Sequence, residues 1–173
     1  DHFDDELIHE LAESIKKQGI IQPITVRKLG YDKYQLISGE RRLRASKVAG
    51  INEIACYIRV ANDEQMLEMA LIENIHRKDL NSIEIAISYQ RLIEECDLTH
   101  EKLSERISKN RSTITKYRRL LKLPAEIQLA LRDDLISMGH ARAMINIIDQ
   151  DIQLRILKKI ISHDLSVRQV EEL

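Results

Sequence analysis

The stretch "LISGERRLRAS", residues 36–46, sets Arg41, Arg42 and Arg44 directly behind Gly39 and Glu40. A β-branched run precedes it, so these residues fall where a strand meets a helix N-terminus. Free backbone N–H groups and the helix dipole make that position an anion site. Arginine adds planar, bidentate phosphate donors. The same dipole disfavours basic side chains in a first helical turn, a local cost that a bound anion would offset. The plain alternative is a solvated cationic helix. No GxxxxGK[ST] run occurs anywhere, which argues against a Walker-type NTPase.

A second constellation is "ENIHR". Glu73 and Arg77 stand four apart and fit a simple intrahelical pair. The alternative chemistry is a metal–phosphate site. Glu73 and Asn74 offer the oxygen ligands that Mg²⁺ takes beside phosphates and water, with Arg77 facing the same phosphates.

The third lies at residues 99–122. The spacing predicts a helix of about eight residues, a turn of three or four and a helix of about eleven, the layout of a helix-turn-helix. Arg111, Ser112 and Thr113 would open the second helix and face base edges. Lys109, Lys116, Arg118 and Arg119 are placed to meet phosphates, which position without specifying. A basic but ordinary helix pair is the competing reading. Ser108 occupies the turn position where glycine often supplies a positive φ; Asn110 tolerates that conformation and would partly compensate. In "GHAR", Gly139 to Arg142, no metal spacing surrounds His140, and Arg142 can add a phosphate contact.

The elements that position these residues follow from periodicity. "DDELIHELAESIKKQG" spaces its apolar residues as a helix stopped by Gly19. "PITVRKL", "KYQLIS" and "EIACYIRV" read as strands, with a helix from Gly39 to about Val48 before the third. From Asp63, an expected helix cap, the pattern is helical. "NSIE", Asn81 to Glu84, resembles a capping box with Asn in place of Ser or Thr, and Thr99 can cap the next helix. Shorter helices follow around 125–132, 138–148, 151–162 and 166–173. The expected fold is α+β: a small mixed α/β domain over residues 1–80, then an all-α helix-turn-helix domain over 81–173.

Composition agrees with this division. Residues 1–98 hold 13 Lys and Arg against 18 Asp and Glu, whereas residues 99–173 hold 14 against 10. Residues 102–122 concentrate eight basic side chains against one acid, Glu105, a candidate nucleic-acid footprint. Aromatic content of 3% leaves the core to Ile, Leu, Val and Ala. Cys56 and Cys96 read as reduced thiols of a cytosolic protein rather than a disulfide framework. No apolar run approaches a membrane span. The chain lacks an initiator Met and ends in "SVRQVEEL", so a piece of a longer protein is expected.

Six stretches in order, "QPITVR", "GERRLRAS", "ENIHRKDLNSIEIA", the 99–122 helix-turn-helix, "GHARA" and "SVRQVE", resemble the ParB family of bacterial chromosome- and plasmid-partition proteins. The resemblance covers nearly the whole chain. It implies a DNA clamp that binds and hydrolyses CTP with Mg²⁺. Gln22 through Arg27, Thr25 among them, would hold the cytidine end. Gly39, Glu40, Arg41 and Arg42 would bind the triphosphate, and Glu73, Asn74 and Arg77 the metal and phosphate. Arg44 is assigned to no ligand. Glu40 and Glu73 are the candidate catalytic carboxylates. Neither is an obvious general base, so slow hydrolysis by a positioned water is expected.

The helix-turn-helix, with Gly139, His140 and Arg142, would bind double-stranded DNA at a palindromic centromere-like site. Two copies on its half-sites would close by self-association of their N-terminal domains, slide, and reopen on hydrolysis. A ParA-type ATPase is the implied partner of a peptide that would precede Asp1, and a dimerisation domain would follow Leu173. The implied location is cytoplasmic and nucleoid-associated, with no membrane partner. Arg111 and Gly139 are similar to the partition protein, whereas the nucleoid-occlusion relative tends to have Gln and Arg there. Ser82, His76 and Ser108 depart from a usual Pro, Gln and Gly. The alternatives are a helix-turn-helix repressor, a nucleoid-occlusion protein, or a small-molecule kinase on the same N-terminal scaffold.

Overall fold

The computed structural model describes residues 2–59 and 64–173, with side chains from residue 5 onward. The Asp63 cap expected from the sequence lies outside the described residues. Contacts divide the chain into two units, residues 1–66 and 67–173.

The first unit runs α1 (His2–Gln18), β1 (Ile24–Gly30), β2 (Lys33–Ser38), α2 (Glu40–Val48) and β3 (Cys56–Arg59). Ile8, Ala12 and Ile15 recur on one face of α1 and pack with Ala45 of α2, with Leu11, Ile20, Ala49 and Ile51 around them. That core is small. Each large aliphatic side chain fully buried there contributes about 1.5–3 kcal/mol. The sheet order is β2-β1-β3. β1 and β2 form an antiparallel hairpin closed by Tyr31 and Asp32, with Gly30 opposite Lys33. β3 pairs with β1 in parallel, Thr25 beside Tyr57 and Arg27 beside Arg59.

The second unit holds most of α3 (Glu64–Ile75), then α4 (Ser82–Glu95), α5 (His100–Ile107), α6 (Arg111–Leu120), α7 (Ala125–Arg132), α8 (Met138–Met144), α9 (Gln150–His163) and α10 (Val167–Glu171). α3 groups here because Leu67, Leu71, Ile72 and Ile75 join the cluster of Tyr89, Leu92, Leu103, Ile107 and Ile114. Tyr89 meets Tyr117 edge-on, ring centroids 5.6 Å apart, a favoured aromatic geometry. Asn81 and Glu84 form the full capping box that starts α4, as the sequence indicates. Among the described residues no helix is long and apolar enough to cross a membrane.

Candidate anion and nucleic-acid sites

The residues expected at the two sites lie on different elements, and those of each unit are described in turn. In the first unit, β2 ends at Ser38 and Gly39 turns the chain with φ 104°. Two independent constraints require glycine there. The backbone is left-handed, and a Cβ would sit 2.7 Å from Cγ2 of Ile24 and 3.3 Å from Cζ of Arg42. No side chain caps the helix that follows, so the first-turn N–H groups remain available to an anion.

The basic residues behind Gly39 take three different roles. Arg41 is exposed. Arg42 folds back, and its Nη1 donates to the carbonyls of Gln22 (2.8 Å) and Pro23 (2.6 Å). It therefore braces the segment that enters β1. Arg44 donates to Glu40 at 2.8 Å, one turn along the exposed helix face. Alternation along β1 puts Thr25 and Arg27 on the face opposite the buried Ile24 and Val26. Thr25 is buried. Arg27 is half-buried, its Nε buried without a hydrogen-bond partner.

In the second unit, Glu73 and Asn74 stand near the end of α3. The simple Glu73–Arg77 pair does not form, because α3 stops at Ile75 and Arg77 leaves the helical face. Arg77 instead donates from Nε and Nη2 to both oxygens of Asp79, at 3.3 and 3.0 Å. That contact holds the Asp79 carboxyl below the usual carboxylate range, so the pair is lost only as pH falls through that lowered value. Among the described residues, no group of three or more His, Cys, Asp or Glu is gathered to hold a metal. Glu73 is exposed and Asn74 partly exposed. Their oxygens fit Mg²⁺ of the kind that draws one or two protein ligands and completes its shell with phosphate and water.

The helix-turn-helix forms as α5, the turn 108–110 and α6. Thr99 caps α5, its hydroxyl accepting from the Lys102 N–H. Ser108 itself takes the left-handed conformation, φ 54°, and Asn110 stays extended at φ −64°. The compensation expected from Asn110 is thus not used. Asn110 is needed as the extended residue that starts α6, so the strain falls on Ser108. In α6, Ile114 and Leu120 are fully buried. Lys109, Arg111, Ser112, Lys116 and Arg119 are exposed and Thr113 is half-buried.

Not every expected contact faces outward. Arg118 turns inward, donating from Nε to Oε1 of Gln90 at 2.7 Å and from Nη1 to Nε2 of His100 at 2.6 Å. It therefore ties α6 to α4 and α5. Arg119 donates to Oδ1 of Asn146 at 2.7 Å, and Arg111 lies 2.9 Å from Oε1 of Glu101. The Glu101 carboxyl is held low, first by its own backbone N–H and then by Arg111. His140 is committed at both ring nitrogens. The Ser137 N–H donates to Nδ1 at 3.0 Å, which leaves Nε2 to donate to the Leu165 carbonyl at 2.8 Å. At Gly139 a Cβ would meet Cγ2 of Val167 at 2.7 Å, so α10 packs directly against this position. Arg142 is exposed. Sequence reasoning missed Glu101, Gln90, His100 and Asn146. They are partners across helices, and no local spacing announces them.

Residues 1–75 match the family model described as the ParB N-terminal domain, and residues 78–173 the one described as the ParB HTH domain. The chain is 46% identical over 170 residues to the nucleoid occlusion protein of Bacillus thuringiensis (strain Al Hakam), across 98% of this chain and 59% of that protein. It is 45% identical over 170 residues to that of Lysinibacillus sphaericus (strain C3-41), across 98% and 57%. The chain thus spans less than two thirds of these relatives. It is also similar to the C-terminally truncated chromosome-partitioning protein ParB of Caulobacter crescentus, solved in complex with the centromeric parS site. That likeness has 38% identity and a TM-score of 0.58, over 96% of this chain and 85% of the other.

Proposed function

We infer a function for this chain, which belongs to the ParB family, as a sequence-specific DNA-binding protein that loads at a palindromic centromere-like site and acts as a CTP-dependent sliding clamp in chromosome segregation. The observation that carries DNA binding is the face of α6. Its apolar residues Ile114 and Leu120 are buried, while Arg111, Ser112, Lys116 and Arg119 are exposed. The likeness to a parS-bound ParB supports the same assignment.

The nucleotide half of the reading rests on the family's motifs and on the uncapped first turn of α2. By function rather than by contact, residues 1–80 form the nucleotide-binding domain and 81–173 the DNA-binding domain. In this reading Gln22, Thr25 and Arg27 contact the cytidine end. Gly39 admits the triphosphate to the α2 N–H groups, and Arg41 neutralises it. Arg42 keeps the Gln22–Pro23 segment in place through its two carbonyl bonds. Arg77 exchanges Asp79 for phosphate. Glu73 and Asn74 hold Mg²⁺, which when bound neutralises phosphate charge. Glu40 and Glu73 are the carboxylates assigned to slow CTP hydrolysis. CTP must bind the self-associated form better than the open one, or it shifts nothing.

Calorimetric titration tests this. Binding of CTP but not ATP or GTP, and phosphate release in the presence of cognate DNA that Glu73→Ala abolishes, are the expected outcomes. Equal weak binding of all three nucleotides, or of none, would leave a simple helix-turn-helix repressor. A second reading, nucleoid occlusion, is favoured by the 46% identity to a nucleoid occlusion protein. The selected DNA site and its genomic distribution separate the two.

A further inference from the structure

Glu101 is the second residue of α5, and its Oε1 lies 2.9 Å from Nη1 of Arg111, the first residue of α6. Its place calls for a reason, because a carboxylate on a DNA-facing surface is repelled by every phosphate it approaches. Stability is not that reason. The two side chains are 56% and 64% exposed, and ion pairs of that kind contribute little. Thr99 caps α5. Glu101 adds a first-turn acid that accepts from its own backbone N–H, which accounts for a carboxylate at this end of α5 but not for its contact with Arg111.

Arg111 has its own difficulty. It sits in the first turn of α6, which carries no acid and no side-chain cap, so the helix dipole opposes its charge. Glu101 supplies the missing negative charge from the neighbouring helix. It does so at one end of the guanidinium. An arginine carries five N–H donors in a rigid fork, so contact at Nη1 orients the group and leaves donors for a second, bidentate partner.

We infer that Glu101 is a specificity-determining positioning residue, which holds the Arg111 guanidinium in register for guanine and neutralises it at every other base pair. This rests on the reading of α6 as the helix that enters the major groove. Guanine presents two acceptors, O6 and N7, to a fork, whereas adenine presents an acceptor and a donor. Where both acceptors are present, Arg111 engages them while Glu101 fixes its angle. Where they are absent, Arg111 remains paired, and its charge does not add to non-specific attraction. Discrimination then comes partly from withholding affinity at wrong sites.

The test uses a random-sequence duplex pool, so the site need not be known beforehand. Wild type, Glu101→Gln, Arg111→Ala and the double variant each select from the pool, and the selected duplexes are sequenced. Thermal unfolding checks that all four remain folded, as expected for exposed positions. Glu101→Gln should weaken the preference at the Arg111-dependent base pair about tenfold, on the scale of one bidentate contact. It should also tighten binding to random duplex and steepen the salt dependence by about one phosphate equivalent. In the Arg111→Ala background it should leave the preference unchanged. The inference is overturned if Arg111→Ala removes the preference while Glu101→Gln keeps it intact. A gain of affinity at all sequences alike overturns it too, since Glu101 would then be a repulsive charge only. If Arg111→Ala itself preserves the preference, the base-reading assignment of Arg111 fails, and this inference fails with it.

Discussion

α2 and α6 both open with arginine in the first turn, and neither start is capped by a side chain. Their surroundings give that shared chemistry opposite uses. At α2, a left-handed Gly39 brings the turn onto Ile24, Arg42 folds back onto two carbonyls, and Arg44 pairs with Glu40 of its own helix. The cations are drawn in around a short turn, leaving the N–H groups and Arg41 for something compact. At α6, an extended Asn110 starts the helix, and Arg111, Lys116 and Arg119 stand exposed along it. A row of cations on an open face suits an extended polyanion. A basic helix start therefore does not specify its ligand. The backbone before it and the partners of each arginine do.

The sharpest way to break this comparison is Gly39→Ala. The substitution meets a positive φ and a 2.7 Å approach to Ile24 together, and should cost about 2–4 kcal/mol and abolish the CTP response. DNA affinity should hold. Thermal unfolding, calorimetry and fluorescence anisotropy on one variant read all three, and equal loss of both activities would merge the two sites. Next is Gly139→Ala, where the obstacle is packing alone. It should cost about 1–3 kcal/mol, and adding Val167→Ala should recover part of that in a double-mutant cycle followed by chemical denaturation.

Within α6 the comparison narrows to two exposed cations. Arg111→Ala should cost about 1–3 kcal/mol of discrimination at one base pair. Lys116→Ala should weaken binding to all duplexes alike and reduce the salt slope by about one. Anisotropy titrations against matched and base-substituted duplexes over a salt series separate them. The smallest effect is expected at the turn. Ser108→Gly removes a strained φ of 54° and should stabilise the helical unit by about 0.5–1 kcal/mol, seen as a raised denaturation midpoint with DNA affinity unchanged.

Elements and caps were legible because they are local. Asn81 and Glu84 announce the start of α4 within four residues, Thr99 that of α5, and the strain at Ser108 is visible as a missing glycine. Side-chain direction was not legible where the partner is distant. Arg118 reads as one more cation of a basic run, yet Gln90, 28 positions earlier, turns it inward. His140 sits in a segment expected to meet DNA, yet Leu165, 25 positions later, claims its Nε2. Gly139 attracts attention as a reading position, and only the packing of Val167 supplies a reason for glycine. The Glu73–Arg77 pair follows from ideal spacing but requires a helix that continues past Ile75.

On the proposed function, the inward turn of Arg118 bears on the timing of recognition. By bonding to α4 and α5, one cation is withdrawn from the surface, and in exchange the helix proposed to read DNA is fixed before any DNA arrives. Its conformational entropy is lost during folding and not again at the encounter. Association should then resemble the docking of a rigid body, with little heat-capacity change beyond that of the surface covered, and Arg118→Met should slow productive capture even where the remaining contacts survive.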